Sequence, residues 1–93
     1  MKIRWTPAAL EDFKAISHHI ERRRNLDTAN RVCRRIYEQI RLLHGHPHIG
    51  RLGSREGTRE LVIENLPYLV TYRVVASQTI QILRIWHGAQ DRQ

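Results

Sequence analysis

The chain has 93 residues, 41% of them apolar, and its 16 basic residues outnumber nine acidic ones, which gives a net charge of +7. This length predicts one domain over residues 1–93, and the lone Cys33 excludes an internal disulfide framework. Fourteen of the basic residues are arginines, an excess that indicates nucleic acid or an acidic protein as partner. Because no segment resembles a signal peptide or a membrane span, we expect a cytoplasmic protein with no membrane partner.

The N-terminal part of the chain predicts a strand followed by a helix. Lys2–Trp5 is short and alternating, and Thr6-Pro7 is typical of a helix start, with threonine as cap and proline in the first turn. Apolar residues at spacings of three and four then predict one buried stripe: Ala9, Phe13, Ile16 and Ile20. The run from Arg22 to Arg24 should close this helix, where cations are favoured, although a binding role for the same arginines stays open.

A second helix is predicted to begin with Asp27 as its N-cap, close enough to the first for an antiparallel hairpin. Its apolar stripe comprises Ala29, Val32, Cys33, Ile36, Ile40 and Leu43. Four arginines of this helix point away from that stripe: Arg31, Arg34, Arg35 and Arg41. We interpret Cys33 as a small buried hydrophobic residue rather than a catalytic thiol.

The C-terminal half predicts a loop over residues 44–58, then strands at about Arg59–Glu64, Tyr68–Val75 and Thr79–His87. Their short connections predict antiparallel pairing. The resulting order, β-α-α-β-β-β, is an α+β fold of two layers, with the helical hairpin packed on one face of a mainly antiparallel sheet.

The other face of this sheet is predicted to be open and electropositive. Arg73 and Arg84 lie among apolar neighbours, and an arginine in a strand needs water or an acidic partner. An uninterrupted alternation of the last strand groups Ile80 and Ile82 with Arg84 and Trp86, and places His87 on the opposite face.

The polar side chains of the sheet are candidates for chemistry: Arg59, Glu60, Tyr68, Arg73, Arg84 and His87. A ribonuclease that forms a cyclic phosphate needs a base, an acid and cations that stabilise the phosphorane. Glu60 and His87 could supply base and acid, while Arg73 and Arg84 could stabilise charge. If Arg84 and His87 face opposite sides, however, this set does not converge, and Glu60 could instead pair with an arginine of an adjacent strand.

Three alternating histidines, His44, His46 and His48, could ligate a metal if they lay on a strand. The intervening Gly45 and Pro47 favour a loop, and no cysteine or acidic cluster lies close in sequence. We therefore expect no metal site and no cofactor.

Six short motifs occur along the chain. Each is weak alone, but their order and spacing together are specific for one family. They are Trp5-Thr6-Pro7-Ala8-Ala9 with Leu10-Glu11-Asp12, then Ala29, Pro47-His48-Ile49-Gly50-Arg51, Thr58-Arg59-Glu60-Leu61, Pro67-Tyr68 with Thr71-Tyr72-Arg73-Val74, and Ile82-Leu83-Arg84 with His87-Gly88-Ala89. In these motifs, almost the whole chain resembles the RelE/ParE toxin superfamily of bacterial type II toxin–antitoxin systems. The resemblance implies the fold derived above and a small acidic antitoxin, ParD-like or RelB-like. One branch of that superfamily cleaves messenger RNA on the ribosome, and the other poisons DNA gyrase without demonstrated catalysis.

Departures from the RelE-like ribonuclease pattern favour the ParE-like branch. Where that pattern has lysines in the second strand, this chain has Glu60 and Val62. Where it has an arginine directly after the tyrosine that opens the third strand, this chain has Leu69. The C-terminal tyrosine of the ribonucleases is also missing. By contrast, His87-Gly88-Ala89 looks like the ParE pattern, although Gln90 stands where that pattern usually has arginine.

The resemblance thus implies a ParE-like inhibitor of DNA gyrase. Its expected target-binding residues are Tyr68, Arg73, Arg84, Trp86, His87 and Arg92. The arginine-rich hairpin suits an acidic antitoxin segment that folds on binding, through Arg31, Arg34, Arg35 and Arg41. The alternative is a ribosome-dependent mRNA endoribonuclease, with catalytic candidates Arg59, Glu60, Arg73, Arg84 and His87, so catalysis by this chain stays open. A third possibility is a degenerate module that binds its antitoxin but poisons nothing.

Overall fold

A computed structural model describes residues 1–76 and 78–88, and these residues form two helices and five strands. The elements in chain order are β1 (Lys2–Trp5), α1 (Pro7–Arg23), α2 (Leu26–Arg41), a 3-10 turn (Leu42–His44), β2 (Arg51–Leu52), β3 (Arg59–Val62), β4 (Tyr68–Val75) and β5 (Thr79–His87). The strands form one sheet in the order β1-β5-β4-β3-β2. Strand β1 runs parallel to β5, and the other pairs are antiparallel. The predicted α+β architecture is confirmed, with the two-residue strand β2 as an addition.

Side-chain caps fix where both helices begin. The Thr6 hydroxyl accepts a hydrogen bond from Ala9 N (3.1 Å), as the sequence predicted for α1. Helix α2 is capped by Asn25, whose Oδ1 accepts from Thr28 N at 2.8 Å. The prediction of Asp27 as N-cap is therefore wrong by two positions. Asp27 lies instead in the first turn, where its charge favours the helix dipole.

The core lies between the helical hairpin and one face of the sheet. The largest fully buried side chains are Tyr72, Ile36, Ile40, Leu43, Ile63, Ile80, Ile82 and Val70. The predicted stripes of both helices are confirmed except for Cys33, since their other residues are either buried or packed against this core. Cys33 is half-buried rather than buried. Burial raises the pKa of its thiol, and a hydrogen bond with Ser17 opposes that shift.

A β-bulge in β5 changes the direction of its side chains. Thr71 of β4 pairs with Arg84, but the next residue, Tyr72, pairs with Ile82, so Leu83 is an extra residue in β5. Such an insertion locally breaks the period of two that an ideal strand keeps.

Because of the bulge, the single alternation predicted for the last strand is wrong. Ile80 and Ile82 are fully buried in the core, whereas Arg84 and Trp86 are only half-buried and belong to the face that the helices leave open. Beyond the bulge, the core-facing position passes to Ile85, which is 3% exposed.

The long loop before β3 is anchored to the core through one tyrosine. The Tyr72 hydroxyl accepts from Gly50 N and donates to Pro47 O, both at 2.9 Å. Burial raises the pKa of Tyr72, so the phenol stays protonated and able to donate.

Neither helix in the described ranges combines the length and apolar character needed to cross a membrane.

Candidate functional site

The last part of β5 is held by the start of α1. Strand β1 pairs with β5 only as far as Ile82. Beyond that point, Thr6 Oγ1 donates to Leu83 O (2.9 Å), and Ile85 N donates to Asp12 Oδ2 (2.9 Å). Helix α1 thus satisfies backbone groups that an adjacent strand would otherwise bind.

The same carboxylate binds Arg84 in a bidentate ion pair. Arg84 Nε donates to Asp12 Oδ2 at 2.7 Å, and a terminal guanidinium nitrogen donates to Oδ1 at 3.0 Å. These hydrogen bonds raise the pKa of Arg84 above its ordinary value. Planar pairing of this kind fixes both charge and orientation, so Arg84 is an oriented, partly neutralised group rather than a free phosphate ligand.

Arg84 in turn supports Trp86 on the open face. Its guanidinium carbon lies 4.5 Å from the centroid of the Trp86 ring, within the range of a cation–π contact. The indole N–H donates to Thr71 Oγ1 at 2.9 Å. Asp12, Arg84, Trp86 and Thr71 therefore form one connected series, which we call the β5 clamp.

A hollow of about 400 Å³ lies beside the β5 clamp on the open face. Its lining includes Arg55, Thr58 and Glu60. Glu60 is 7% exposed, and its carboxylate accepts from Arg51 Nε at 3.1 Å. The alternative that Glu60 pairs with an arginine of an adjacent strand is therefore confirmed, since Arg51 belongs to β2.

The remaining sheet arginines differ in their surroundings. Arg73 is exposed on the open face, where its Nε donates to Gln81 Oε1 at 2.9 Å. Arg59 lies on the opposite face and donates to the carbonyl oxygens of His48 (3.1 Å) and Gly50 (2.8 Å). Arg59 thus fastens the loop before β2, and Arg73 is the more available of the two.

His87 lies across the sheet from Arg84. It pairs with Tyr68, three residues before the Thr71 that pairs with Arg84, so the two side chains point to opposite faces. The rings of Tyr68 and His87 meet edge to face with centroids 5.7 Å apart, and burial raises the pKa of Tyr68. The catalytic candidates therefore do not converge, as the sequence allowed: Glu60 and Arg84 are separated by the sheet from His87. Arg92 lies outside the described residues.

The helical arginines predicted to bind antitoxin lie at the surface. Arg31, Arg34 and Arg35 are exposed on α2, and in the described ranges the only carboxylate within 4.0 Å of their guanidinium nitrogens is that of Glu64, which pairs with Arg35. Arg41 differs, because it lines an apolar groove beside β1.

This groove, which we call the β1 groove, has a volume of about 930 Å³ and was missed by sequence reasoning. Trp5 and Phe13 meet edge to face inside it, with ring centroids 5.2 Å apart. Leu10 and Tyr37 line it while remaining 44% and 48% exposed. Its cationic lining residues are Lys2, Arg4 and Arg41. The available signal was that Leu10 and Tyr37 are large apolar residues outside the buried stripes of their helices.

The three alternating histidines are exposed, with His44 in the 3-10 turn and His46 and His48 in the following loop. Within residues 1–76 and 78–88, no group of three or more His, Cys, Asp or Glu side chains is arranged to hold a metal ion.

Comparisons with known proteins agree over nearly the whole chain. A family model described as "ParE toxin of type II toxin-antitoxin system, parDE" matches residues 3–92. A Sinorhizobium fredii protein named "Putative toxin Y4kP" is 38% identical over 90 residues, which cover 97% of this chain and 91% of that protein. The solved structure of the chromosomal ParDE TA system from P. aeruginosa superposes with a TM-score of 0.86 and 31% identity, over 94% of this chain and 95% of the other. The isolated E. coli RelE toxin superposes with a TM-score of 0.71 over 98% of this chain and 87% of its own, but at 10% identity it shows the fold alone.

Proposed function

The chain belongs to the ParE toxin family of type II toxin–antitoxin systems, and we propose that it inhibits DNA gyrase and is held inactive by a cognate acidic antitoxin. The observation that favours a binding inhibitor over a nuclease is the separation of the polar sheet residues. Acid–base cleavage of RNA needs both proton-transferring groups within reach of one phosphate. Glu60 is engaged by Arg51 on one face, whereas His87 lies on the other. A gyrase inhibitor needs only a binding surface, so no catalysis by the chain itself is required.

The proposed target surface comprises Tyr68, Arg73, Arg84, Trp86, His87 and Arg92. Arg73, Arg84 and Trp86 lie on the open face, whereas Tyr68 and His87 lie on the opposite face. Arg92 is outside the described residues. Within this surface, we assign contact with the target to Trp86 and Arg73, which are accessible on the open face. Arg84 is assigned a supporting role, because its guanidinium is already bound by Asp12 and lies against the Trp86 ring. Action on gyrase implies that the toxin works in the cytoplasm.

The proposed antitoxin site combines the β1 groove with the arginines of α2. An amphipathic acidic segment would place apolar side chains against Leu10 and Tyr37 and carboxylates beside Arg41. Arg31, Arg34 and Arg35 would extend the cationic surface along the helix. Support comes from charge complementarity and from the exposed side chains of Leu10 and Tyr37 in the lining of the groove.

A gyrase cleavage assay tests the target. The purified chain, freed of antitoxin, is incubated with gyrase, ATP and supercoiled plasmid, and the reaction is stopped with detergent and protease. We expect linear DNA only when both proteins are present. Unchanged plasmid beside a working control poison would contradict the proposal. Messenger RNA cut at defined codon positions, read by primer extension, would then support the ribosomal alternative.

Two matched variants separate the proposed surfaces. Trp86→Ala should abolish linear DNA while retaining antitoxin affinity. Tyr37→Ala should weaken antitoxin binding at least about tenfold, as for aromatic anchors of interfaces, while leaving the cleavage assay unchanged. If both variants lost the same activity, the assignment of two separate surfaces would be wrong.

A further inference from the structure

A cleft with two arginines at one end runs along the second half of α1, beside the end of β5. It consists of two hollows of about 250 and 340 Å³ that share His19 and Tyr68 in their linings. The end of α1 also contributes Arg23 and the C-cap residue Arg24, and β5 contributes His87. We call these residues the α1 cleft; the surfaces proposed above use only its sheet side.

The charge of the α1 cleft is not compensated within the described part of the chain. Arg23 and Arg24 are exposed, and neither takes part in an ion pair among residues 1–76 and 78–88. The acidic residue in the lining is Asp12, both of whose oxygens are bound by Arg84, with Ile85 N sharing one of them. Favourable interaction with the helix dipole explains cations at the end of α1. It does not explain the adjoining hollows, whose linings also contain the side chains of His19, Tyr68 and His87.

The shape of the cleft favours a repeating anion over a compact one. From Asp12 to Arg23, α1 advances about 16 Å at 1.5 Å per residue. One strand of duplex DNA carries a phosphate about every 3.4 Å along the axis, so this length spans about five phosphates. The cleft also reaches His87, and there it adjoins the proposed target surface.

We propose that the α1 cleft binds the phosphate backbone of duplex DNA, so that the toxin contacts DNA as well as its protein target. The biological role of this contact rests on the proposed inhibition of gyrase, an enzyme that acts on DNA. The binding itself can be measured without gyrase, so the two proposals can fail separately.

The test measures binding of the full 93-residue chain to a fluorescein-labelled 20-base-pair duplex by fluorescence anisotropy, between 50 and 200 mM KCl. Each arginine that neutralises one phosphate contributes about 0.9 to the slope of log K against log salt. Arg23→Ala/Arg24→Ala should therefore reduce the slope by about 1.8. Across this fourfold salt range, the unaltered chain should lose about tenfold more affinity than the variant.

Two controls separate local binding from general charge and from loss of fold. Arg4→Ala/Arg41→Ala removes the same charge at the β1 groove, far along the hairpin. It should retain at least half of the salt-dependence slope that Arg23→Ala/Arg24→Ala loses. Arg23→Lys/Arg24→Lys should restore the slope, because counterion release depends on charge. Circular dichroism checks that all variants remain folded.

Four results would overturn the inference. They are absence of duplex binding at 50 mM salt, equal loss of slope in both alanine variants, preference for single-stranded RNA of equal length, and loss of antitoxin affinity in Arg23→Ala/Arg24→Ala with DNA binding intact. Duplex binding through the cleft without gyrase inhibition would refute the proposed function alone.

Discussion

Substitution of Asp12 by alanine tests the β5 clamp, because this carboxylate accepts hydrogen bonds from both Arg84 and Ile85 N. Without it, the Ile85 N–H loses its acceptor beside a side chain that is 3% exposed, which costs about 1–3 kcal/mol. Loss of the ion pair adds only about 1 kcal/mol, because the Arg84 side chain is 41% exposed. We expect Asp12→Ala to lower the free energy of unfolding by about 2–4 kcal/mol.

Urea unfolding followed by far-UV circular dichroism measures this change. Tryptophan fluorescence is unsuitable, because Trp86 belongs to the clamp itself. An unchanged m value with a lower midpoint would indicate lost stability rather than an altered unfolded state. In thermal unfolding the same loss corresponds to about 10–25 °C in Tm for a domain of this size.

Glu11→Ala is the matched control. Its side chain is 76% exposed, and its only ion pair in the described ranges, with Lys14, is 3.9 Å long. We expect a change within about 0.5 kcal/mol. The loss of unfolding free energy in Asp12→Asn should lie between those of Asp12→Ala and Glu11→Ala, because the amide oxygen can still accept a hydrogen bond from Ile85 N. If Asp12→Ala matched Glu11→Ala, or if a double-mutant cycle with Arg84→Ala gave no coupling energy, the clamp would have no energetic basis.

Further predictions concern the buried tyrosine and the cysteine. In Gly50→Ala the new Cβ would lie 2.7 Å from the Tyr72 ring and hydroxyl and 2.9 Å from Glu60 O. We therefore expect the free energy of unfolding in urea to fall by about 1–3 kcal/mol. Gly45→Ala is the control and should match the unaltered chain, because its new Cβ would lie in open space. Burial raises the pKa of Tyr72 above its ordinary value, so above about pH 10 the unfolded state releases a proton that the folded state retains. Stability should therefore fall as pH rises through this range, and an unchanged slope in Tyr72→Phe would contradict the assignment. The raised pKa of Cys33 predicts slow alkylation by iodoacetamide at pH 8 that accelerates in urea, and equal rates in both states would refute it.

Local chemistry made most of the fold predictable. Thr6 followed by proline fixes the start of α1, and the apolar run of β4 gave the bounds that the structure has. Strand β2 was missed because two residues are too short to show any period. Asn25 and Asp27 are both good caps, so the choice between them depends on how the chain turns after α1.

The candidate site was predictable only where neighbours in sequence decide it. The opposite directions of Arg84 and His87 follow from their spacing in the sequence. Pairing of Glu60 with an arginine of an adjacent strand was also among the predicted alternatives. The clamp could not be predicted, because Asp12 lies 72 residues before Arg84 and meets it only through the packing of α1 on β5. The bulge at Leu83 has no residue-type signal in this strand, yet it decides that Trp86 lies on the open face.

The arginine-rich composition therefore divides into two kinds of side chain. Arg51 and Arg84 are paired with carboxylates, and Arg59 donates to carbonyl oxygens on the opposite face of the sheet. The charge of Arg84, which was predicted for the open sheet face, is therefore already compensated. Arg23 and Arg24, by contrast, are exposed at the C-terminal end of α1. Replacing arginines of the first kind should change mainly stability, whereas replacing those of the second should change mainly the salt dependence of binding. The positive charge available to partners then lies chiefly on the helical side, where an acidic antitoxin and DNA phosphates would compete for adjoining surfaces.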